Sequence, residues 1–416
     1  MGRLFTQGNL LPLLVLLLLV YGVFSYSFHF FLSGAVTHLL LLFLAILGCL
    51  EFKKVLLRKK VGKIFCALFI YNVLLYLIGF FFVNDSLYMS FYISFFISTL
   101  IFSTYCYFSI NTEKTLSMLG YIIKYILPIY TMALLVNYVF LPTGLMYDRF
   151  YLSFFPMLYL FLPFCNRKAF GICLIFSFIA IIREADFRAL VLLNLFGFFI
   201  YLVIIRKYLF GKNILKILAY FFLFFPIGLL ILSICTGLNP FTLLDDSSLS
   251  SFSLGNETIA MSGDSRSFLF IEVYEHLCKY NALIWGTTPG IGYQTSLANV
   301  SDDFFMLLKG GRIDTEVGIL EFFHFGGLIN VTLLFAFFFV FIKGVFVKAK
   351  NRFAYVICVY VSFRWFFLFM EGDIIMHMQW ISLLIVMGLF SSDRLLNMTD
   401  KELEVILKYN LKKGLR

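Results

Sequence analysis

Long apolar segments, each close to the length needed to cross a lipid bilayer, follow one another through most of this 416-residue sequence. A transmembrane helix needs about 20 mainly apolar residues. Hydrophobic residues make up 62% of the chain and charged residues only 13%, whereas soluble proteins average about 45–50% apolar and about 25% charged residues. The sequence therefore predicts an all-α polytopic membrane protein with about twelve transmembrane helices. The predicted spans are residues 9–31, 36–52, 64–83, 87–110, 116–140, 151–165, 169–182, 189–205, 214–236, 316–342, 353–370 and 374–391.

One long polar stretch, residues 236–315, interrupts the series of spans and divides the chain. It follows about nine predicted helices in residues 1–235 and precedes about three more in residues 316–391. Residues 392–416 form a basic tail. The apolar segment near the N-terminus lacks the small-residue cleavage site of a signal peptide, so we expect it to remain as the first helix.

Lysine and arginine are concentrated in alternate loops between the predicted spans. They cluster in residues 53–63, 167–168, 206–212 and 343–352, and the loops between these are poor in them. Because basic loops stay on the cytoplasmic side, we expect both termini to be cytoplasmic and residues 236–315 to be extracytoplasmic. This clustering also accounts for the net charge of +10, so we expect no nucleic-acid partner.

Within the long loop, the stretch from Arg266 to Trp285 shows helical periodicity, with an apolar face and a polar face. The apolar set is Phe268, Ile271, Tyr274, Leu277 and Cys278, and the polar set is Glu272, Glu275, His276 and Lys279. Asp264 or Ser265 is suited to cap this helix, which places the Arg266 guanidinium beside a helix N-terminus that attracts anions. The sequence thus predicts an amphipathic helix with a phosphate-binding arginine. The alternative is an arginine that is merely solvated.

A second arginine, Arg188, opens the eighth predicted span on the same outer side. Guanidinium groups bind phosphate oxygens bidentately, so Arg188 and Arg266 are together suited to hold a pyrophosphate. The alternative is that Arg188 only extends its charged end toward the membrane interface.

Acidic residues mark the start of the tenth predicted span. Glu316, with Asp314 two residues before it, stands where a carboxylate favours the helix dipole and where it can accept a proton from a hydroxyl group. Glu321 and His324 lie on one face of the same span, and ionisable groups inside a membrane usually face a protein interior or a wet cavity. Arg364 in the eleventh span lies at a depth similar to that of Glu321. We expect these two to pair or to share an outward cavity with His324, the alternative being separate extension to the interface.

Four short stretches carry a resemblance to a known family. They are Asp186 Phe187 Arg188 Ala189 Leu190, Ser262 Gly263 Asp264 Ser265 Arg266, Gly290 Ile291 Gly292, and Gly326 Gly327 Leu328 Ile329. Together with the serial spans and the single long outer loop, they resemble the Wzy-type O-antigen and capsular polysaccharide polymerases and the related O-antigen ligases. In the ligases a histidine commonly opens the span after the long loop. Glu316 stands at that place here, which favours a polymerase.

The resemblance implies a metal-independent, inverting glycosyltransferase without a cofactor, located in the bacterial cytoplasmic (inner) membrane. Its expected substrates are undecaprenyl-pyrophosphate-linked oligosaccharides, joined on the outer face of that membrane in O-antigen, capsule or exopolysaccharide synthesis. Arg188 and Arg266 would bind the donor pyrophosphate, Arg312 would bind that of the acceptor, and Glu316 or Asp314 would be the base. A chain-length regulator protein is an expected partner. The spacing of the eight cysteines indicates neither a disulfide framework nor a metal site.

Three alternatives to a polymerase remain open. One is an O-antigen ligase, which shares the same plan. Another is a flippase for lipid-linked oligosaccharides, which has about twelve spans but would carry charged residues through many of them and has no need of the long outer loop. The third is an assembly partner of a cell-envelope machine, in which the outward arginines would have no task.

Overall fold

The computed structural model describes residues 7–28, 33–58, 60–83, 86–140, 152–183, 188–206, 210–236, 265–293, 311–315, 317–372 and 377–413. These residues form helices joined by short turns. One isolated antiparallel bridge, between Tyr293 and Arg312, is the β-structure found within them. The described part of the chain is therefore all-helical, in agreement with the predicted fold class.

The α-helices of these segments are numbered in chain order. They are α1 (Gln7–Phe28), α2 (Ser33–Leu50), α3 (Phe52–Arg58), α4 (Lys60–Gly79), α5 (Ser86–Leu100), α6 (Thr104–Ile110), α7 (Thr112–Tyr121), α8 (Leu127–Phe140), α9 (Arg167–Arg183), α10 (Arg188–Ile205), α11 (Lys212–Thr236), α12 (Ser265–Lys279), α13 (Gly318–Lys348), α14 (Arg352–Phe367), α15 (His377–Leu389), α16 (Asp393–Asn397) and α17 (Asp400–Lys413).

Within the described segments, five helical stretches are long and apolar enough to cross a membrane. They are Lys60–Phe82, Tyr88–Ile110, Thr112–Val136, Lys212–Leu229 and Gly318–Lys348. Four apolar helices are shorter: Asn9–Gly22, Ala35–Leu50, Leu190–Ile205 and His377–Leu389. This combination of length and apolar composition is that of a membrane-embedded helical protein.

After Leu152, the described part of the predicted sixth span, residues 151–165, contains no α-helix. Phe155–Leu160 and Leu162–Phe164 are 3₁₀ turns instead, and each has a proline in its first turn. Proline lacks a backbone N–H and clashes with the preceding turn of an α-helix. Pro156 and Pro163 therefore explain why this apolar stretch is shorter and more irregular than its neighbours. The other predicted spans all contain α-helix.

The long helix α13 lies in the core, where it packs against α4 and α14. A reciprocal amide pair joins it to α4: Asn72 Nδ2 donates to Asn330 Oδ1 at 2.9 Å, and Asn330 Nδ2 donates to Asn72 Oδ1 at 3.0 Å. Both side chains are buried. Polar side chains between membrane helices commonly bond each other in this way, and the pair fixes α4 beside α13.

A π-helical segment, Ile122–Ile126, joins α7 to α8. On one side of it α7 packs against α17, and on the other side α8 packs against α9. The contact with α17 is close, because a Cβ built on Gly120 would fall 2.3 Å from the Leu411 carbonyl oxygen. The basic tail that follows residue 391 thus contains a helix that is docked on the bundle.

Candidate functional site

Helix α13 is interrupted at Gly327, whose backbone has φ 61° and ψ −158° inside an otherwise helical run. The turn that follows α12 supplies hydrogen-bond partners to the interrupted stretch. Thr287 N–H donates to the His324 carbonyl at 3.0 Å, and Thr288 N–H donates to the Phe325 carbonyl at 3.0 Å. In return, the Leu283 and Ile284 carbonyls accept from Leu328 N–H at 2.9 Å and Ile329 N–H at 3.2 Å. Irregular backbone at membrane depth is tolerated where protein satisfies its polar groups.

Two glycines make this close approach possible. A Cβ built on Gly286 would fall 2.4 Å from the Gly326 nitrogen, and one built on Gly327 would fall 2.4 Å from the Ile284 carbonyl carbon. Gly286 has φ 76°, and the non-glycine residues Asn281 and Thr288 also have positive φ, at 52° and 66°. Such conformations persist only where the surrounding structure enforces them. The turn is therefore held in one defined shape against the break in α13.

Helix α12 confirms the helix expected from Arg266, but it ends at Lys279 and does not continue to Trp285, and the face that packs on the protein differs in part from the predicted one. Leu269, Val273 and Leu277 are buried, whereas Ile271 and Tyr274 are exposed. The sequence offers two apolar stripes on this helix, and the stripe with a four-residue spacing is the one that meets the bundle. The prediction that the apolar face includes Ile271, Tyr274 and Cys278 was wrong, and these three residues lie on the exposed side.

The change of face brings His276 into the site. Its ring lies 5.2 Å from that of His324 and in a near-perpendicular orientation, measured between centroids. The ring of Tyr293 contacts both, at 5.3 Å from His324 and 6.5 Å from His276. Thr287 Oγ1 lies 3.3 Å from His276 Nε2 and 3.4 Å from the His324 carbonyl oxygen. These four residues form a cluster, which we call the histidine cluster, between α12, the turn and the broken helix.

Burial makes His276 a weak base. Desolvation, with a smaller contribution from the nearby Lys279 ammonium, lowers the pKa of His276 to about 4. The imidazole is therefore uncharged at neutral pH. An uncharged ring adds no positive charge to the cluster. Its Nε2 atom donates a hydrogen bond to Thr287 Oγ1 or accepts one from it, according to the tautomer.

Arg312 is anchored beside the histidine cluster by its backbone. Its N–H and carbonyl exchange hydrogen bonds of 2.8 and 2.9 Å with those of Tyr293, and its side chain is buried. The Tyr293 hydroxyl donates to the Asp314 carbonyl at 2.9 Å. The Asp314 carboxylate therefore does not take part in that bond. Tyr293 thus links the predicted residues Arg312, Asp314 and His324, which supports grouping them in one site.

Glu321 and Arg364 do not form the direct pair that their depths suggested. The structure describes both side chains, each of them buried, and contains no ion pair between them. Arg364 instead donates to the Gln379 carbonyl at 3.1 Å, to Tyr360 Oη at 3.3 Å and to Ser382 Oγ at 3.4 Å. The arginine points toward α15, so the direct pair was wrong, and the shared outward cavity with His324 stays a prediction.

The remaining predicted site residues have positions that the structure describes only in part. Arg188 begins α10 and Arg266 lies in the first turn of α12, but their side chains are outside the described part. Glu316 lies wholly outside the described residues. Their proposed roles therefore stay predictions. Among the residues that are described, no three His, Cys, Asp or Glu side chains come together as metal ligands.

Sequence reasoning missed His276, Thr287 and Tyr293 as members of the site. The Gly326–Gly327 pair inside an apolar span is the signal that could have found them, because such a pair marks a place where another backbone approaches closely. Comparisons with protein-family models, with curated proteins and with solved structures found no match to this chain.

Proposed function

We propose that the protein is a membrane-embedded polysaccharide polymerase. It joins undecaprenyl-pyrophosphate-linked oligosaccharide repeat units on the outer face of the cytoplasmic membrane. The growing glycan is transferred from one undecaprenyl pyrophosphate to the terminal sugar hydroxyl of the next lipid-linked unit. Such a reaction needs no nucleotide, because the energy is held in the sugar–phosphate bond of the donor.

The observation that carries this proposal is the position of Arg312. The buried Arg312 is held by its backbone bridge to Tyr293, and the Tyr293 ring contacts both histidines of the cluster at the break of α13. Ionisable groups inside a membrane protein are expensive and usually serve a substrate. Because His276 is uncharged at neutral pH, the positive charge of this part of the site rests on the guanidinium, which suits a phosphate group.

In the proposed reaction, an arginine set consisting of Arg188, Arg266 and Arg312 binds the pyrophosphates of the two substrates. Glu316, or Asp314, accepts the proton of the attacking hydroxyl. The hydroxyl oxygen forms a bond to the anomeric carbon, the bond from that carbon to the pyrophosphate oxygen breaks, and undecaprenyl pyrophosphate leaves with the electron pair. The arginines stabilise the charge that develops on this leaving group. Inversion at the anomeric carbon follows from the single displacement.

The proposal includes the full topology: about twelve spans, both termini in the cytoplasm, and residues 236–315 outside it. Its support is the alternation of basic loops. The sidedness is tested by replacing Ser250 with cysteine and labelling intact cells or spheroplasts with a membrane-impermeant maleimide. We expect labelling before the inner membrane is broken. Labelling only after rupture would place the loop in the cytoplasm and remove the proposed chemistry from the outer face.

The activity is tested in proteoliposomes supplied with lipid-linked repeat units, with glycan length as the readout. We expect lengthening by the wild-type protein and at least a tenfold loss for Arg312→Lys, because lysine keeps the charge but lacks the bidentate fork. Arg394→Lys is the matched control. It makes the same change at an exposed arginine paired with Glu113, at the opposite end of the bundle, and should retain full activity.

The other outcomes of this assay decide between the classes. Movement of the substrate across the bilayer without lengthening would identify a flippase. In a parallel assay that also contains a lipid A acceptor, transfer only to that acceptor would identify a ligase. If the folded protein shows none of these activities, an assembly partner is the class that remains. Within the polymerase, Glu316→Gln and Asp314→Asn separate the two candidate bases, since each keeps the shape and removes the basicity. Normal rates in both variants would eliminate a carboxylate base.

A further inference from the structure

The turn between α12 and residue 293 lies alongside α4 and the first third of α13, and not beyond the ends of these helices. The Tyr71 hydroxyl of α4 lies 3.0 Å from the Gly326 carbonyl oxygen and 3.4 Å from the Trp285 carbonyl oxygen. Tyr71 is eight positions before Gly79, the last residue of α4. The turn is therefore inserted between α4 and α13 well inside the end of α4.

Counting from the basic ends of the helices gives the same result. Gly327 lies sixteen positions before Lys343, and Gly79 lies sixteen positions after Lys63. At 1.5 Å per residue, both glycines are about 24 Å from those lysines, within a hydrocarbon core of about 30 Å. Gly327 is in backbone contact with Gly286, and Gly79 with Gly290, since a Cβ built on Gly290 would fall 1.9 Å from the Gly79 carbonyl oxygen. The turn thus enters the depth range of the hydrocarbon.

At this depth the turn presents large apolar side chains to the outside of the protein. Trp285 is 64% exposed and Ile284 is 54% exposed, and Leu328 beside them on α13 is 52% exposed. They continue an exposed apolar stripe on α4. That stripe consists of Ile70, Leu74, Leu77 and Ile78, and Phe81 extends it in the 3₁₀ turn after α4. A surface continuous with the outer face of a membrane helix, and equally apolar, fits lipid chains and not water.

We propose that residues 282–290 form a re-entrant segment, and that Trp285 and Ile284 contact the acyl chains of the surrounding bilayer. The backbone polar groups of the segment do not oppose this placement, because the broken helix and Tyr71 bond several of them. The segment would place the histidine cluster below the lipid headgroups, on the protein side of the same turn. This inference depends on membrane insertion and not on the proposed enzymatic activity.

The three tryptophans of the chain make a direct test possible. Trp365 and Trp380 are buried, with exposures of 0% and 3%, so Trp285 is the one of the three with a large exposed surface. The probe is a phosphatidylcholine vesicle containing 6,7-dibrominated acyl chains, which quench tryptophan on contact. We expect quenching of the wild-type protein, and at least a twofold smaller quenched fraction in Trp285→Phe. Aqueous iodide should quench Trp285 weakly.

Two results would overturn the proposal. Strong iodide quenching without bromolipid quenching would place Trp285 in water, and quenching by neither probe would mean that protein covers it. Should Trp285→Phe fail to fold, a photoreactive benzoylphenylalanine at position 284 provides the second measurement. Illumination in vesicles should yield a lipid adduct by mass spectrometry. Adducts to protein alone would contradict the lipid contact.

Discussion

Gly286 and Gly327 lie backbone against backbone, so that a Cβ built on Gly327 would fall 2.6 Å from the Gly286 nitrogen. Neither position has room for a side chain, and both have positive φ. The contact joins a loop outside the helix series to the first third of the longest helix described, and the histidine cluster is built around it.

We expect Gly327→Ala to destabilise the protein strongly. The backbone conformation of Gly327 is one that only glycine adopts readily, with a cost of about 1–3 kcal/mol for other residues, and the new methyl group would also overlap Ile284. Gly344→Ala is the control in the same helix, because the nearest side-chain atom to its Cβ is 4.0 Å away. In detergent, the thermal unfolding midpoint should fall strongly for Gly327→Ala and should not fall for Gly344→Ala. Equal midpoints would mean that the break does not depend on the glycine.

We expect the Asn72–Asn330 pair to show a coupling free energy of about 0.5–2 kcal/mol in a double-mutant cycle. Each single change to leucine leaves one buried amide without its partner, whereas the double change removes both. Asn72→Leu combined with Asn351→Ala is the control, because Asn351 caps α14 and bonds the Leu395 carbonyl instead. That combination should be additive. The measurement is unfolding in mixed micelles, and additivity for both pairs would refute the coupling.

We expect acid to weaken the packing of α12. His276 has an ordinary pKa of 6.5 and a pKa of about 4 in the folded protein, so between these values the unfolded chain binds more protons. The free energy of unfolding contributed by this residue therefore falls as pH drops from about 6.5 to about 4, and is constant outside that window. In His276→Gln, the unfolding midpoint should depend less on pH across this range. A variant with an unchanged pH profile would show that the site does not titrate in this way.

We expect Arg364 to be coupled to α15 and not to Glu321. Arg364→Gln should lose the hydrogen bonds to the Gln379 carbonyl and to Ser382. The Gln379 carbonyl then keeps the bond from the Ser382 hydroxyl. In double-mutant cycles read as detergent stability, Arg364→Gln with Ser382→Ala should be non-additive by more than Arg364→Gln with Glu321→Gln. A larger non-additivity for Arg364 with Glu321 than for Arg364 with Ser382 would contradict this prediction and support the Glu321–Arg364 pair.

The sequence predicted the helices well where their signal is the length of an apolar run, as for α10 and α11. For α12 it placed Ile271 and Tyr274 on the packed face, whereas Leu277 of the predicted set is buried together with Leu269 and Val273, because both stripes of the helix carry apolar residues. Only contact with the bundle selects one stripe, and composition cannot report that contact. The direction of Arg364 was missed for the same reason, since depth along a helix does not determine rotation about its axis.

The π-helical segment at Ile122–Ile126 has a consequence for changes in chain length. A π-turn holds one residue more than an α-turn, and that extra residue is accommodated as a local widening of the helix. Removing Lys124, whose side chain is exposed, would convert the wide turn into an ordinary one and keep the packed faces of α7 and α8 in nearly their present directions. A deletion elsewhere in α8 would rotate the following residues by about 100° and turn the face that meets α9 toward the lipid. The π-turn is therefore a place at which the run from α7 to α8 can be shortened by one residue.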